Sequence, residues 1–127
     1  MNTSLSNGHS PSLAIVGYRE FTNYGLLTRE VDKFIKFIGI PECIISGGAK
    51  GADSLAERYA NDRGILLVVY PPDWKTYGKS AGVRRNTDIV NNCTHLIAFL
   101  SSKSVGTLDS IRKATNGGKT VKVINID

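Results

Sequence analysis

No apolar run in the 127-residue chain approaches the ~20 residues of a membrane-spanning helix, so no membrane span or membrane partner is expected. Histidine and cysteine are scarce, with two of each, and none stands at metal-ligand spacing, so neither a metal nor a cofactor is expected. Cys43 and Cys93 lie in or beside apolar segments and read as buried free thiols of a reducing compartment, which implies a cytoplasmic protein. Paired carboxylates are missing as well: Asp53, Asp73 and Asp109 are scattered, and neither His9 nor His95 has a serine or carboxylate at catalytic spacing. Such scarcity argues against most hydrolase schemes. His95, opening a strand, reads as a satisfied structural histidine. Residues Met1 to Ser12 carry no lysine, arginine or apolar stretch and read as a flexible tail rather than a signal peptide. Residues 13–127 then form one domain, without repeats, linkers or low-complexity segments.

What is present is an alternation of apolar strands and amphipathic helices. Strands are expected at Leu13–Gly17, Cys43–Ile45, Leu66–Tyr70, His95–Leu100 and Val121–Ile126. Helices are expected from Leu27 to Ile38, Ala52 to about Asp62, about Val83 to Asn92, and Val105 to Asn116, with a long irregular connection from Asp73 to Gly82. The last strand mixes polar residues into its alternation, as an edge strand does. Five strands alternating with four helices predict an α/β domain: a Rossmann-like, doubly wound parallel sheet with helices on both faces. Ligands of that architecture sit beyond the carboxyl ends of the strands.

Two strand-to-helix turns at that end carry the chemistry. The first, Ser46-Gly47-Gly48-Ala49-Lys50-Gly51-Ala52-Asp53, fits neither the dinucleotide fingerprint nor the P-loop spacing. Its glycines still let backbone N–H groups approach an anion, Lys50 adds charge, and Asp53 can cap the helix or accept from a ribose hydroxyl. The second, Ser101-Ser102-Lys103-Ser104-Val105-Gly106-Thr107, offers hydroxyls and N–H groups at a helix start. Each turn has a bland alternative, a tight βα turn or a serine-rich cap, but two in one small domain point to a phosphate-bearing ligand.

The charge pattern agrees. Loops 17–24, 46–53, 71–86 and 101–107 hold seven basic residues (Arg19, Lys50, Lys75, Lys79, Arg84, Arg85 and Lys103) and three acids, Glu20, Asp53 and Asp73. That excess accounts for most of the net charge of +5 and is focused where an anion would bind. No basic stripe runs along a helix or strand, which argues against a nucleic-acid partner. Arg85 suits bidentate phosphate recognition beside Asn86, and Arg19 follows Gly17 at the end of the first strand. Trp74 and Tyr77 either stack on a base or pin their loop to the core.

Taken together, Gly47-Gly48-Ala49-Lys50-Gly51-Ala52-Asp53, Asp73-Trp74 with Tyr77-Gly78-Lys79, Ala81-Gly82-x-x-Arg85-Asn86, and Gly106-Thr107 resemble the YspA/YpsA-related branch of the SLOG superfamily. The resemblance runs from Leu13 onward. It implies a Rossmann-like fold and the binding, sensing or cleavage of nucleotides or nucleotide-derived signals, often in bacterial or phage conflict systems. It is also compatible with a homodimer. The superfamily includes the DNA-processing protein DprA and the lonely-guy phosphoribohydrolases. Ser101 to Ser110 is similar to the latter's P-G-G-x-G-T-x-x-E motif, but the glycines before Gly106-Thr107 are replaced and the acidic position falls on Ser110. Asp109 is one residue away, rotated by about 100° on a helix.

The favoured expectation is therefore a nucleotide-binding sensor or sequestering module, with Gly48, Lys50, Gly51, Gly106 and Thr107 on phosphate, Arg19 and Arg85 neutralising charge, and Asp53 at a ribose. An N-glycosidase acting on a nucleoside monophosphate is the alternative, with Arg85 and Asp109 as its catalytic pair. Single-stranded DNA binding is a third.

Overall fold

Leu13, Ala14 and Ile15 are fully buried in β1 (Ser12–Gly17), because both faces of this continuous apolar strand are covered. The computed structural model describes residues 10–127. After β1 come α1 (Tyr24–Ile38), β2 (Cys43–Ser46), α2 (Ala52–Arg63), β3 (Leu66–Val69), α3 (Trp74–Tyr77), a 3-10 turn (Gly78–Ser80), α4 (Ala81–Asn92), β4 (His95–Leu100), α5 (Val105–Asn116) and β5 (Thr120–Asn125). All strand pairs are parallel, in the order β3-β2-β1-β4-β5. This is the expected doubly wound sheet, with its switch point between β1 and β4.

Side-chain alternation divides the core. Leu13, Ile15, Ile97 and Phe99 face α1 and α2, where Leu27, Val31, Ala56 and Tyr59 meet them. Ala14, Val16, Leu96 and Ala98 face α4 and α5, against Ile89, Val90 and Ala114. His95 packs edge-on to Phe34 at 6.1 Å, with Nδ1 2.7 Å from Thr94 Oγ1, and burial lowers its pKa. Cys93 is buried and Cys43 half-buried, both as free thiols.

Several boundaries differ from the sequence expectation. The tail expected over residues 1–12 lies, through His9, outside the described residues; among those described, Pro11 and Ser12 already belong to the fold, since Glu42 N–H donates to the Pro11 carbonyl at 2.9 Å and Ser12 opens β1. α1 begins at Tyr24 rather than Leu27 because the Asn23 side chain accepts from Leu26 N–H at 3.0 Å. Asn23→Ala is expected to cost about 1 kcal/mol, read as a lowered thermal midpoint with the fold unchanged.

The connection expected to be irregular from Asp73 to Gly82 is helical. Asp73 accepts from Thr76 N–H at 3.1 Å to start α3, and the 3-10 turn runs directly into α4, anchored by the buried Ala81. The edge character expected for the last strand is present, and β3, at the opposite edge, also leaves Leu66 and Val69 exposed.

Candidate functional site

The first turn is built from inside. The buried Ser46 hydroxyl, at the end of β2, accepts from Gly48 N–H at 3.2 Å. Asp53 turns back into the loop, its Oδ2 accepting from Ala49 N–H at 3.1 Å. Gly51, at φ +70°, lies against the Tyr18 carbonyl and the Arg19 backbone, where any Cβ would overlap them. The Tyr18 carbonyl in turn accepts from Ala52 N–H at 3.1 Å, so the loop after Gly17 holds the start of α2 in place. Gly48 and Lys50 are left facing outward.

Serines organise the second turn. Ser101 N–H donates to Ser104 Oγ at 3.0 Å, Ser104 N–H to the Ser101 carbonyl at 3.0 Å, and Lys103 N–H to Ser101 Oγ at 3.2 Å. With its hydroxyl used this way, Ser104 does not cap α5. Thr107 is buried in the helix's first turn, and Gly106 is exposed. Ahead of the helix, Ser102 N–H donates to Asp127 Oδ2, 2.7 Å away.

Arg85 and Asn86 in α4 join the two turns. Arg85 Nη1 donates to the Gly47 carbonyl, and its Nε to Asn86 Oδ1 at 3.0 Å. Asn86 Nδ2 then reaches the Gly106 carbonyl at 3.2 Å and Asp109 Oδ2 at 3.1 Å. Gly47 lies between the Arg85 guanidinium and the Asp53 carboxylate; an added Cβ would stand 2.5 Å from Arg85 Nη1 and 2.8 Å from Asp53 Oδ2. Burial pushes the Asp53 carboxyl up to about 6, against the pull of the Ala49 N–H and of Arg85. Burial likewise lowers Arg85, with Asp53 opposing.

Asp109 is fully engaged. Besides Asn86 it accepts from Arg112 at 2.7 Å and Lys113 at 2.8 Å. Burial works to raise its pKa, but these partners hold it below the usual carboxylate range. Such a group stays ionised at neutral pH and serves here to lock α5 to α4.

At the α3–α4 elbow, Trp74 is 59% exposed and Tyr77 46% exposed. The Arg84 guanidinium lies 4.3 Å from the Tyr77 ring centroid. Lys75 and Lys79 are exposed beside them, as are Arg19, Lys50 and Lys103 at the neighbouring turns. Among the described residues, the ion pairs engage Arg29, Lys33, Arg58, Arg63, Arg112 and Lys113, all on α1, α2 and α5. None of the seven basic residues at the carboxyl end of the sheet takes part. No His, Cys, Asp and Glu cluster suited to a metal occurs among the described residues, and none of their helices is long and apolar enough to cross a membrane.

The structure thus gathers Gly17, Arg19, Gly47, Gly48, Lys50, Gly51, Asp53, Arg85, Asn86, Ser101, Gly106 and Thr107 at one end of the sheet, with Trp74, Tyr77 and Lys79 on the adjoining elbow. The sequence pattern includes Ser46 and Ser104 in the two turns without giving either a role of its own, and it does not point to Asp127. A serine closing a buried strand just before Gly-Gly is the signal that would have found the first.

Residues 11–77 match the model of the YspA, cpYpsA-related SLOG family. That span includes the first turn and Trp74, while Arg85-Asn86 and the second turn lie beyond it. The Gene 61 protein of Mycobacterium phage D29 is 36% identical over 88 residues, which is 65% of this chain and 69% of that protein. The fold is similar to that of DNA processing protein A (DprA) from Streptococcus pneumoniae, with a TM-score of 0.72 and 23% identity over 93% of this chain. The chain spans about half (51%) of that structure's length, and at this identity the likeness is one of fold.

Proposed function

The chain belongs to the YspA, cpYpsA-related SLOG family, and from that premise we propose that it binds a nucleotide or nucleotide-derived signal across its two turns, as a sensor or sequestering module. One observation carries this reading. α2 and α5, the helices that begin at the two turns, start without a side-chain cap, whereas α1 and α3 are capped by Asn23 and Asp73, and α4, also without a side-chain cap, continues directly from the 3-10 turn. Among the described residues nothing accepts from the N–H groups of Asp53, Ser54, Val105, Gly106 or Thr107. Uncapped helix starts beside unpaired cations form a receptor for phosphate oxygens.

In this reading Lys50, Gly51, Gly106 and Thr107 receive phosphate, Gly48, its N–H held by Ser46, lets the ligand approach the backbone closely, Arg19 and Arg85 supply positive charge, and Trp74 offers a stacking face to the base. Asp53 holds the first turn closed from within, since its carboxylate already accepts from Ala49. The triple engagement of Asp109 favours binding over glycosidic cleavage, because that carboxylate is committed to Asn86, Arg112 and Lys113.

Incubating the purified protein with nucleoside mono-, di- and cyclic phosphates, then chromatographing the supernatant and the heat-released bound fraction, tests the reading. Intact nucleotide in the bound fraction is expected. Free base accumulating from a monophosphate would overturn it in favour of the glycosidase, and an empty bound fraction would overturn it outright. Trp74→Ala is expected to weaken nucleotide binding about tenfold, the order of one base–aromatic stack, while leaving affinity for inorganic pyrophosphate unchanged by calorimetry.

A further inference from the structure

The contact between Asp127 and the second turn belongs neither to the core nor to the Arg85–Asn86 bridge. β5 pairs with β4 in the register Leu100↔Asn125, and Ile126 N–H continues the ladder by donating to the Leu100 carbonyl at 3.0 Å. This pairing delivers Asp127 to the turn that follows β4, where Oδ2 takes the Ser102 N–H at 2.7 Å. It is a short, charge-assisted hydrogen bond between residues 25 positions apart. The inner donors of the turn are already used: Ser101 N–H on Ser104 Oγ, and Lys103 N–H on Ser101 Oγ. Ser102 N–H is therefore the outward donor of the segment before α5, and a carboxylate sits on it just ahead of the free N–H groups of Val105, Gly106 and Thr107.

Hydrogen bonds from Ser102, then Ser101, with the charge of Lys103, hold the Asp127 carboxyl below its ordinary range. An anion is thus stabilised at this turn, directly beside the Gly106 and Thr107 amides assigned to phosphate. Asp127 is exposed, so it can leave by rotating its side chain while the β5 ladder stays intact.

We infer that Asp127 is a built-in competitor of the ligand: its carboxylate occupies the Ser102 N–H, one of the outward donors of the second turn, and a phosphate group that spans Ser102 and the start of α5 binds by displacing it. The inference rests on the second turn being a phosphate site. It makes the resting affinity a compromise set by one acidic residue from the far edge of the sheet.

The test is a titration of inorganic phosphate into the wild-type protein, Asp127→Ala and Asp127→Asn, following the Ser102 amide by ¹H–¹⁵N correlation spectroscopy. Glu20→Gln, which removes an exposed acid at the same end of the fold, controls for the general loss of negative charge. Before any phosphate is added, the Ser102 amide resonance of Asp127→Ala is expected to differ from wild type, reporting the lost hydrogen bond. Phosphate is then expected to shift this amide in all four proteins, with a midpoint about three- to tenfold lower in Asp127→Ala than in wild type or Glu20→Gln. Asp127→Asn, keeping an acceptor without its charge, should fall between them. Equal midpoints for Asp127→Ala and Glu20→Gln, or a Ser102 amide unmoved by phosphate in Asp127→Ala, would overturn the inference. Nucleotide titrations separate it from the parent reading. If nucleotides bind equally to wild type and Asp127→Ala, the competitor is refuted and nucleotide binding stands. If Asp127→Ala gains phosphate affinity but no nucleotide binds, the competitor stands and the nucleotide is refuted.

Discussion

Arg85→Met is expected to lower nucleotide affinity by about a hundredfold or more, the largest effect of any single substitution at the site. Two losses combine. The substitution removes a partly buried cation beside the proposed phosphate site, and it removes the donor that holds the Gly47 carbonyl and Asn86 Oδ1 together. Leaving those acceptors unpaired adds a stability cost of about 1–3 kcal/mol, visible as a lowered thermal midpoint. Arg85→Lys separates charge from geometry, because a lysine keeps the charge but cannot span two acceptors in one plane. Its affinity should fall nearly as far as that of Arg85→Met. Wild-type nucleotide affinity in a folded Arg85→Met protein, measured by calorimetry, would contradict the bridge between the turns.

The pH dependence of stability should carry the signature of Asp53. Its carboxyl is raised to about 6 in the folded protein, chiefly by burial, from 3.8 in the unfolded chain. A carboxyl raised on folding favours the protonated native state. The stability it contributes is full below about pH 4 and is lost as pH rises through about 6, a loss of about 3 kcal/mol for a shift of this size. Asp109 and Asp127 have lowered values and act in the opposite sense, losing their contribution as pH falls through those values. The difference between wild type and Asp53→Asn isolates the term. Denaturant melts from pH 4 to pH 8 should show Asp53→Asn gaining on wild type as pH rises, by about 2–3 kcal/mol at pH 7.5. A constant difference across that range would contradict the burial of an ionised Asp53 in the turn.

The two effects share a physical origin. A carboxylate and a guanidinium are held out of full solvent on either side of Gly47, at some cost to the fold, so that the first turn keeps one conformation. A glycine-rich turn without such a frame would lose entropy on meeting the proposed ligand; this one is held by its internal hydrogen bonds.

Much of the architecture was legible because burial and periodicity act locally. The run His95–Leu100 and the helix Val105–Asn116 were read with the bounds they have, one an apolar stretch between polar residues and the other closed by Gly117-Gly118. The gathering of the seven basic residues was legible for a topological reason: in a parallel sheet every loop that follows a strand lies at the same end. Asp73 to Gly82 misled because Pro71-Pro72 and the small residues after Tyr77 read as loop, while the Asp73 cap and the burial of Ala81 decide otherwise.

At the candidate site, the gathering of these residues at one end of the sheet is legible in the sequence and their orientation is not. Asp53 was expected to meet a ribose and instead turns inward to Ala49, because a carboxylate one residue into α2 can close the loop that precedes it. Arg85 is a phosphate-binding or catalytic candidate by residue type, and part of its guanidinium is spent on Gly47 and Asn86. The contact of Asp127 with Ser102 depends on the β4–β5 register, which no local pattern encodes.

The most direct test of the central claim is a ¹H–¹⁵N amide titration of the wild-type protein with a panel of nucleoside phosphates. If one ligand bridges both turns, the amides of Gly48, Asp53 and Ser54 and those of Gly106 and Thr107 shift together, with one common midpoint and the nucleotide recovered intact. Shifts confined to residues away from both turns, such as Thr87, Asn91 and Lys119, which line a shallow groove between α4 and the end of α5, or no shift at either turn with any member of the panel, would contradict it.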